Sequence, residues 1–363
     1  MLSSWVIEEM RTAYLQDKRL DQRLRVVLSQ LAEFPTGSIP AACGGHAEMT
    51  AAYRFFDNEK ATFDKILEAH ADATRQRIAA QPVVIFAQDT TEVDLTRPKQ
   101  PVIGAGPLDG AARVGALLHL LHAFTPDGTP LGTLHATAWT REKAVKCARL
   151  SRAERAATPI DEKESQRWVT TLGEAEKIAH QLPTSQCICV ADSEADIYEF
   201  FVAGTAEGTS IDWVVRAAQD RALCCEDTIT GHLHEHLLAG NVLFTQTIQV
   251  RGRDALVTCE TRGRRQPRKS RVAEVEVRAA QVTLRPPWRP DGKLPEVTVN
   301  AVLVHEPNPP TADVPVQWLL LTTLPIHDVD EVRRVIQVYC VRWMIEVYHP
   351  DCTSSALLYR VAA

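Results

Sequence analysis

The chain has 363 residues, of which 45% are hydrophobic, 24% charged and 6% aromatic, a composition that excludes a disordered chain, a collagen-like repeat or a small disulfide scaffold. Forty Lys and Arg against forty-six Asp and Glu leave a formal charge of −6, so no global attraction to nucleic acid is indicated and any such binding must rest on local patches. No apolar run approaches the roughly 20 residues of a bilayer span. The start MLSSWVIEEM lacks the basic-then-apolar order of a signal peptide. Nine scattered cysteines form no C-x-x-C pair at zinc-finger spacing, and they read as reduced thiols. The expectation is a cytoplasmic protein of several folded units with no membrane contact.

In chain order, residues 4 to about 80 carry helical periodicity: Leu20, Leu24, Val27, Leu28 and Leu31 share one face of DKRLDQRLRVVLSQLAEF, with Lys18, Arg19, Arg23 and Arg25 opposite. FPTGSIPAACG breaks that helix, and EMTAAYRFFDN resumes it. At Pro82 the pattern changes. VVIFAQDTTEVDL predicts a buried strand ending in a polar turn, and RVGALLHLLHAFTPDGTPLGTLHATAW predicts two strands joined by TPDGTP. A charged helical stretch from about Glu142 to His180 is broken near Pro159, and CICVADSEADIYEFF reads as strand, acidic turn and helix. WVVRAA adds a short strand.

From about 220 to 310 the chain reads as short strands with polar turns: VLFTQTIQV, ALVTCET, RVAEVEVRAAQVTL and EVTVNAVLVHE. Within it, residues 251–271 hold eight Arg or Lys against two acids. QWLLLTTLP is one more buried strand. Asp328 or Asp330 is placed to cap a helix running through EVRRVIQVYCVRWMIEVYH to a stop at Pro350. The order suggests a mixed α/β core interrupted by an insertion.

Asp89 and Asp192 each follow an apolar strand, where open α/β sheets place their sites, although a turn or cap carboxylate fits the same pattern. Tyr339, Arg342 and Glu346 recur at i, i+3 and i+7 on one helical face. Arg342 and Glu346 suit a surface pair, but the flanking Trp343 and Ile345 suggest packing, and a buried glutamate requires a metal or a cation. Three convergent carboxylates suit Mg²⁺ or Mn²⁺, which prefer oxygen ligands. His232, His234 and His236 alternate as zinc ligands would but lack companion ligands, and GAGPLDG lacks the ending of a phosphate-binding loop.

The strings AYRFFDN, QDTTEVDL, DEKES, ADSEADIYEFF, NAVL with NPP, WLLLTT and Y-x-x-R-x-x-x-E, in this order from about Trp5 to Glu346, resemble those of IS4-family transposases of the Tn5 type. The resemblance implies an α/β (α+β) chain in which a small helical DNA-binding domain precedes an RNase H-like mixed-sheet catalytic core with a β-rich insertion. Residues 1–75 would be the transposon-end binding domain, 76–219 the first part of the core and 220–310 the insertion. Residues 311–350 would supply the last core strand and the Glu-bearing helix, and 351–363 an atypical tail. Asp89, Asp192 and Glu346 match the family's metal-binding catalytic triad, which holds two divalent cations, Mg²⁺ or Mn²⁺, roughly 3.5–4 Å apart. The implied chemistry is in-line attack on a DNA phosphodiester, by water and then by the freed 3′-hydroxyl, including hairpin formation on the transposon end.

By the same resemblance Arg342 would neutralise phosphate charge and Tyr339 would hydrogen-bond the same strand. Trp318 matches a tryptophan that stacks on a flipped base, although a core Trp at a strand start reads equally well. End recognition is assigned to Tyr53, Arg54 and the basic face with Arg19 and Arg23. A solvated helix face competes with that reading, since residues 1–60 hold seven basic against eight acidic residues. Arg262, Arg264, Arg265, Arg268, Lys269 and Arg271 form a further phosphate footprint or a solubilising loop. The implied partners are double-stranded DNA, as terminal inverted repeats and target, and a second copy of the chain in the full-length family, acting in the cytoplasm at the nucleoid.

The sequence departs from the family where Thr353 replaces a Lys, where Ser193 replaces an Arg, and in the tail HPDCTSSALLYRVAA. A truncation or frameshift just after Glu346 would account for the first and last of these and would impair activity. The alternative expectation is a catalytically inactive DNA-binding inhibitor that competes for transposon ends.

Overall fold

The computed structural model describes residues 2–35, 37–96, 102–109, 113–142, 154, 157–250, 252, 269–290, 292–311 and 313–354. The chain is mixed α/β, with helices first, and divides into two compact units. One comprises Met1–Ala148, Gln181–Cys187 and Val341–Ala363; the other comprises Arg149–His180 and Ile188–Cys340.

In the first unit, five helices precede the first strand: α1 (Ser4–Glu9), α2 (Lys18–Glu33), α3 (Ile39–Ala42), α4 (His46–Phe56) and α5 (Phe63–Ile78). Asp17 caps α2 by accepting the Arg19 N–H, and Thr62 caps α5 by accepting that of Lys65. The apolar stripe of α2 is buried as its spacing predicts. Leu24 joins a core of Met10, Ala13, Leu15, Phe55, Ala61 and Ala69, with Leu20 and Leu28 packed against it. Val27 packs with Ile39 and Ala52, and Leu31 lies against them.

The strands of this unit begin with an antiparallel meander. β1 (Val83–Asp94) pairs with β3 (Val114–Phe124), β3 pairs with β4 (Pro130–Trp139), and the short β2 (Gly106–Pro107) pairs with the start of β3. The β3–β4 loop turns through Gly128 at φ +86°, in the left-handed region that a side chain disfavours. α5 lies on β4 so closely that a Cβ on Gly132 would meet Thr74 Oγ1 at 2.2 Å. The contact is also polar. Arg77 donates to the Leu131 carbonyl at 2.5 Å and to both Glu9 oxygens at 2.7 and 3.0 Å. The His70 ring meets Glu9 through Nδ1 at 2.5 Å and accepts the Thr133 N–H on Nε2 at 2.8 Å. Burial acts to raise the Glu9 pKa, but the hydrogen bonds from His70 and Arg77 outweigh it and bring the carboxyl to about 2.

After the meander come α6 (Gln166–His180), β5 (Gln186–Ala191), α7 (Tyr198–Gly204) and β6 (Ile211–Arg216). Chain order thus runs from the antiparallel meander to helix, strand, helix and strand, a mixed α/β arrangement. The core of the second unit gathers Tyr198, Phe200, Phe201 and Trp213, all buried. The Phe201 and Trp213 rings stack at 5.3 Å, and the indole N–H donates to the Gly204 carbonyl at 3.0 Å.

The β-rich block follows as β7 (Ala222–Cys225), β8 (Thr228–His232), a helix α8 (Leu233–Ala239), β9 (Phe244–Val250), β10 (Arg271–Leu284) and β11 (Val297–His305). β10 pairs with β9 along its first half and with β11 along its second, and β12 (Gln317–Thr322) joins β11 to β6, all antiparallel. The strand expected at ALVTCET lies outside the described residues. α9 (Val329–Val341) is capped by Asp328, which accepts the N–H of Asp330 and Glu331 at 2.9 and 2.8 Å.

Three local expectations are corrected. β1 continues five residues past Asp89, because Thr90, Thr91 and Val93 are β-branched and pair with His119, Leu118 and Ala116; Asp89 therefore sits within a strand rather than at its end. The last helix is two helices, α9 and α10 (Trp343–Ser354), broken at Arg342, so helical spacing does not carry from Tyr339 to Glu346. Helix α10 runs through Pro350 to Ser354, so the stop expected at this proline is not found there.

Candidate active site and DNA-binding surface

Side chains alternate along β1, so Asp89 shares a face with its cross-strand partner Leu120 and with the Ala87–His122 pair, while Gln88 and Thr90 point to the other. α10 packs on the Asp89 face. The Tyr348 ring lies 4.4 Å from that of His122, and Met344 approaches Gly128. This docking brings the N-terminal end of α10 to Asp89. Arg342 Nη1 lies 3.7 Å from Asp89 Oδ2, and its Nη2 pairs with Glu346 in the first turn of α10. The Arg342 and Asp89 side chains are only 10% and 14% exposed, so the guanidinium is a largely desolvated cation between two carboxylates. The second Asp89 oxygen, Oδ1, accepts the Thr90 N–H at 2.8 Å.

On the far face of β1, His119 is fully buried. Its Nδ1 lies 2.8 Å from Thr90 Oγ1 and its Nε2 3.2 Å from Gln88 Oε1. This histidine is not among the residues that the sequence pattern singles out. The signal was present as a polar ring in the apolar run LLHLLHAF, but its partners become visible only through the β1–β3 register.

In the second unit, Asp192 directly follows β5, half-buried, and accepts the Glu194 N–H at 2.8 Å, capping a short 3₁₀ turn at Ser193–Ala195. Asp196, four residues on, is the buried carboxylate of this turn. It accepts the N–H groups of Ala218 and Gln219 and pairs with Arg221, which marks it as structural. Trp318 is half-buried at the start of β12, with its ring 6.2 Å from that of the buried Tyr339.

All-oxygen donors such as Asp89 and Glu346 fit a hard divalent cation, and both already turn toward a single positive charge. Among the described residues, no three His, Cys, Asp or Glu side chains are drawn together closely enough to hold a metal ion. That includes His232, His234 and His236, which divide between β8 and α8.

Of the residues assigned to DNA, Tyr53 and Arg54 are exposed on α4. Lys18 and Arg19 are exposed on α2, with Arg19 paired to its capping Asp17 at 3.0 Å; Arg23 is half-buried. Arg25 donates to the Met10 carbonyl at 2.9 Å and so serves the helical core. Arg264, Arg265 and Arg268 lie outside the described residues, and Lys269 is exposed just before β10. Arg271 does not belong to a phosphate footprint, because it forms ion pairs with Glu306 and, at 2.8 Å, with Asp313.

Residues 2–61, which contain α1 to α4, match the family described as Transposase DNA-binding. Among solved structures, the chain is similar to a piggyBac transposase in a synaptic complex with hairpin DNA, studied by cryo-EM, with a TM-score of 0.36 and 7% identity. The alignment covers 98% of this chain and 66% of that one, so the chain spans just under two thirds of its length. So distant a likeness bears on neither mechanism nor partners. The family match supports a DNA-binding role in transposition. Among the described residues no helix is long and apolar enough to cross a membrane.

Proposed function

We propose that the chain is a metal-dependent DDE transposase of the IS4, Tn5-like kind, which cleaves DNA at transposon ends and joins the freed strand to a target. The observation that carries this reading is the placing of Asp89 and Glu346 on either side of Arg342, in a chain whose first sixty residues resemble a transposase DNA-binding domain. Asp89, Asp192 and Glu346 are the proposed metal ligands. Bound there, Mg²⁺ or Mn²⁺ would supply activation of the attacking oxygen and stabilisation of the leaving one.

The chain's own residues do the rest. Arg342 holds the two carboxylates of its unit together while no metal competes, and its charge would be redirected to a DNA phosphate when one does. Tyr339 and Trp318 are proposed contacts of the cleaved strand, and Tyr53, Arg54, Arg19 and Arg23 contacts of the terminal repeat. Two copies of the chain would pair the two ends.

A second reading is supported by the match of residues 2–61 to a DNA-binding family: a DNA-binding protein that occupies transposon ends without cutting them. Incubating the chain with a duplex carrying the repeats that flank its coding sequence separates the two. Mg²⁺- or Mn²⁺-dependent nicking that Asp89→Ala abolishes supports the transposase. Sequence-specific binding with no nicking in either cation leaves the competitor.

A further inference from the structure

We propose that His119 is a positioning residue for Asp89, an inference that rests on Asp89 being a metal ligand. His119 lies directly across from Thr90 in the β1–β3 register, and its ring reaches both side chains that flank Asp89 on the opposite face, Gln88 and Thr90. With the Gln88 amide oxygen as acceptor, His119 Nε2–H is the donor, so Nδ1 accepts from the Thr90 hydroxyl; a single neutral tautomer satisfies both bonds. The same Thr90 donates its backbone N–H to Asp89 Oδ1. His119 thus locks the two residues on either side of Asp89, and through Thr90 it locks the amide that grips the carboxylate. Oδ1 is held, and Oδ2 is presented toward Arg342.

Packing alone does not call for this trio. Phe86 on β1 and Leu121 and Ala123 on β3, along the same face, are apolar and fully buried. Burying an imidazole and an amide among them incurs a desolvation cost that apolar side chains would avoid. Such a cost is retained where a ligand must be oriented, because hydrogen bonds behind a metal ligand fix its geometry and tune affinity.

The test measures Mn²⁺ binding to the full chain by calorimetric titration, alongside thermal unfolding. In the triple variant Gln88→Leu, His119→Phe and Thr90→Val, every member of the trio is replaced by an apolar group of similar size, so cooperative unfolding should persist near the wild-type temperature. Mn²⁺ affinity should nonetheless fall roughly 10- to 100-fold. Thr90→Val alone should weaken Mn²⁺ binding, and Thr90→Ser, which keeps the hydroxyl, should restore it; this pair decides the matter if the triple variant does not fold. Unchanged affinity in the folded triple variant, or in Thr90→Val, would overturn the role of His119. Asp89→Asn tests the underlying reading separately. If that variant binds Mn²⁺ as the wild type does, Asp89 is not a ligand; if it loses binding while Thr90→Val keeps it, only the positioning role fails.

Discussion

Arg342 stands where a divalent cation would be attracted, between the Asp89 and Glu346 carboxylates. A metal bound there would compete with the guanidinium for the same negative charge, so Arg342→Gln should bind Mn²⁺ more tightly than the wild type, on the order of tenfold, in the absence of DNA. Calorimetric titration of the two proteins checks this. Equal or weaker binding by the variant would mean that the arginine only supports the helix end. Arg54, a proposed DNA contact, is exposed on α4, and Arg54→Ala should lower affinity for end DNA and flatten the dependence of log K on log salt by about 0.9, one phosphate contact's share. An unaltered salt slope would remove Arg54 from the interface. Single residues were legible in the sequence where the pattern is local: Asp192 directly follows an apolar strand as expected, whereas Asp89 stands inside β1 because pairing with β3 carries the strand on. Residues whose meaning depends on distant partners were not. Arg271 read as a phosphate contact because Glu306 and Asp313, its partners, are 35 and 42 positions away. His119 went unnoticed because Gln88 and Thr90 belong to another strand.

At the scale of elements, α1, α5 and β4 meet through Glu9, His70 and Arg77. The folded-state pKa of Glu9, about 2, lies below the ordinary 4.5, so its contribution to stability is full above pH 4.5 and is lost as pH falls toward 2. At about 1.4 kcal/mol per pH unit this sets an upper bound of about 4 kcal/mol. Glu9→Gln should therefore lower the melting temperature at pH 7, with the gap to wild type closing between pH 4.5 and 2. A gap that stays constant with pH would show that the carboxylate's charge contributes nothing. Leu24→Ala, at the centre of the helical core, should cost ~2–5 kcal/mol in chemical denaturation. The apolar stripe of α2, the β3–β4 hairpin and the strand–turn–helix at 186–204 were all legible, because each has a strong local period or turn. The break at Arg342 was not. It lies inside an unbroken helical pattern, and the packing of α10 on β1 is a tertiary contact that no local signal records.

For the whole molecule, the chain order of helices, antiparallel meander and alternating helices and strands was legible, since hydrophobic periods of 3.6 and 2 succeed one another along the sequence. The path of the β-rich block was less so. Its long strand β10 changes partner midway, from β9 to β11, a choice fixed by register rather than by composition. On this frame Asp89, Asp192 and Glu346 are the proposed metal ligands, and the N-terminal helices the proposed DNA-binding part. The most direct test is Mn²⁺-dependent nicking of a supercoiled plasmid carrying the coding sequence with its flanking DNA, compared among wild type, Asp89→Asn, Asp192→Asn and Glu346→Gln, with end binding measured in parallel. Nicking by the wild type, its loss in each of the three variants, and binding retained in all four are expected. Nicking that survives any one substitution, or a wild type that binds the ends and never cuts, would contradict this assignment.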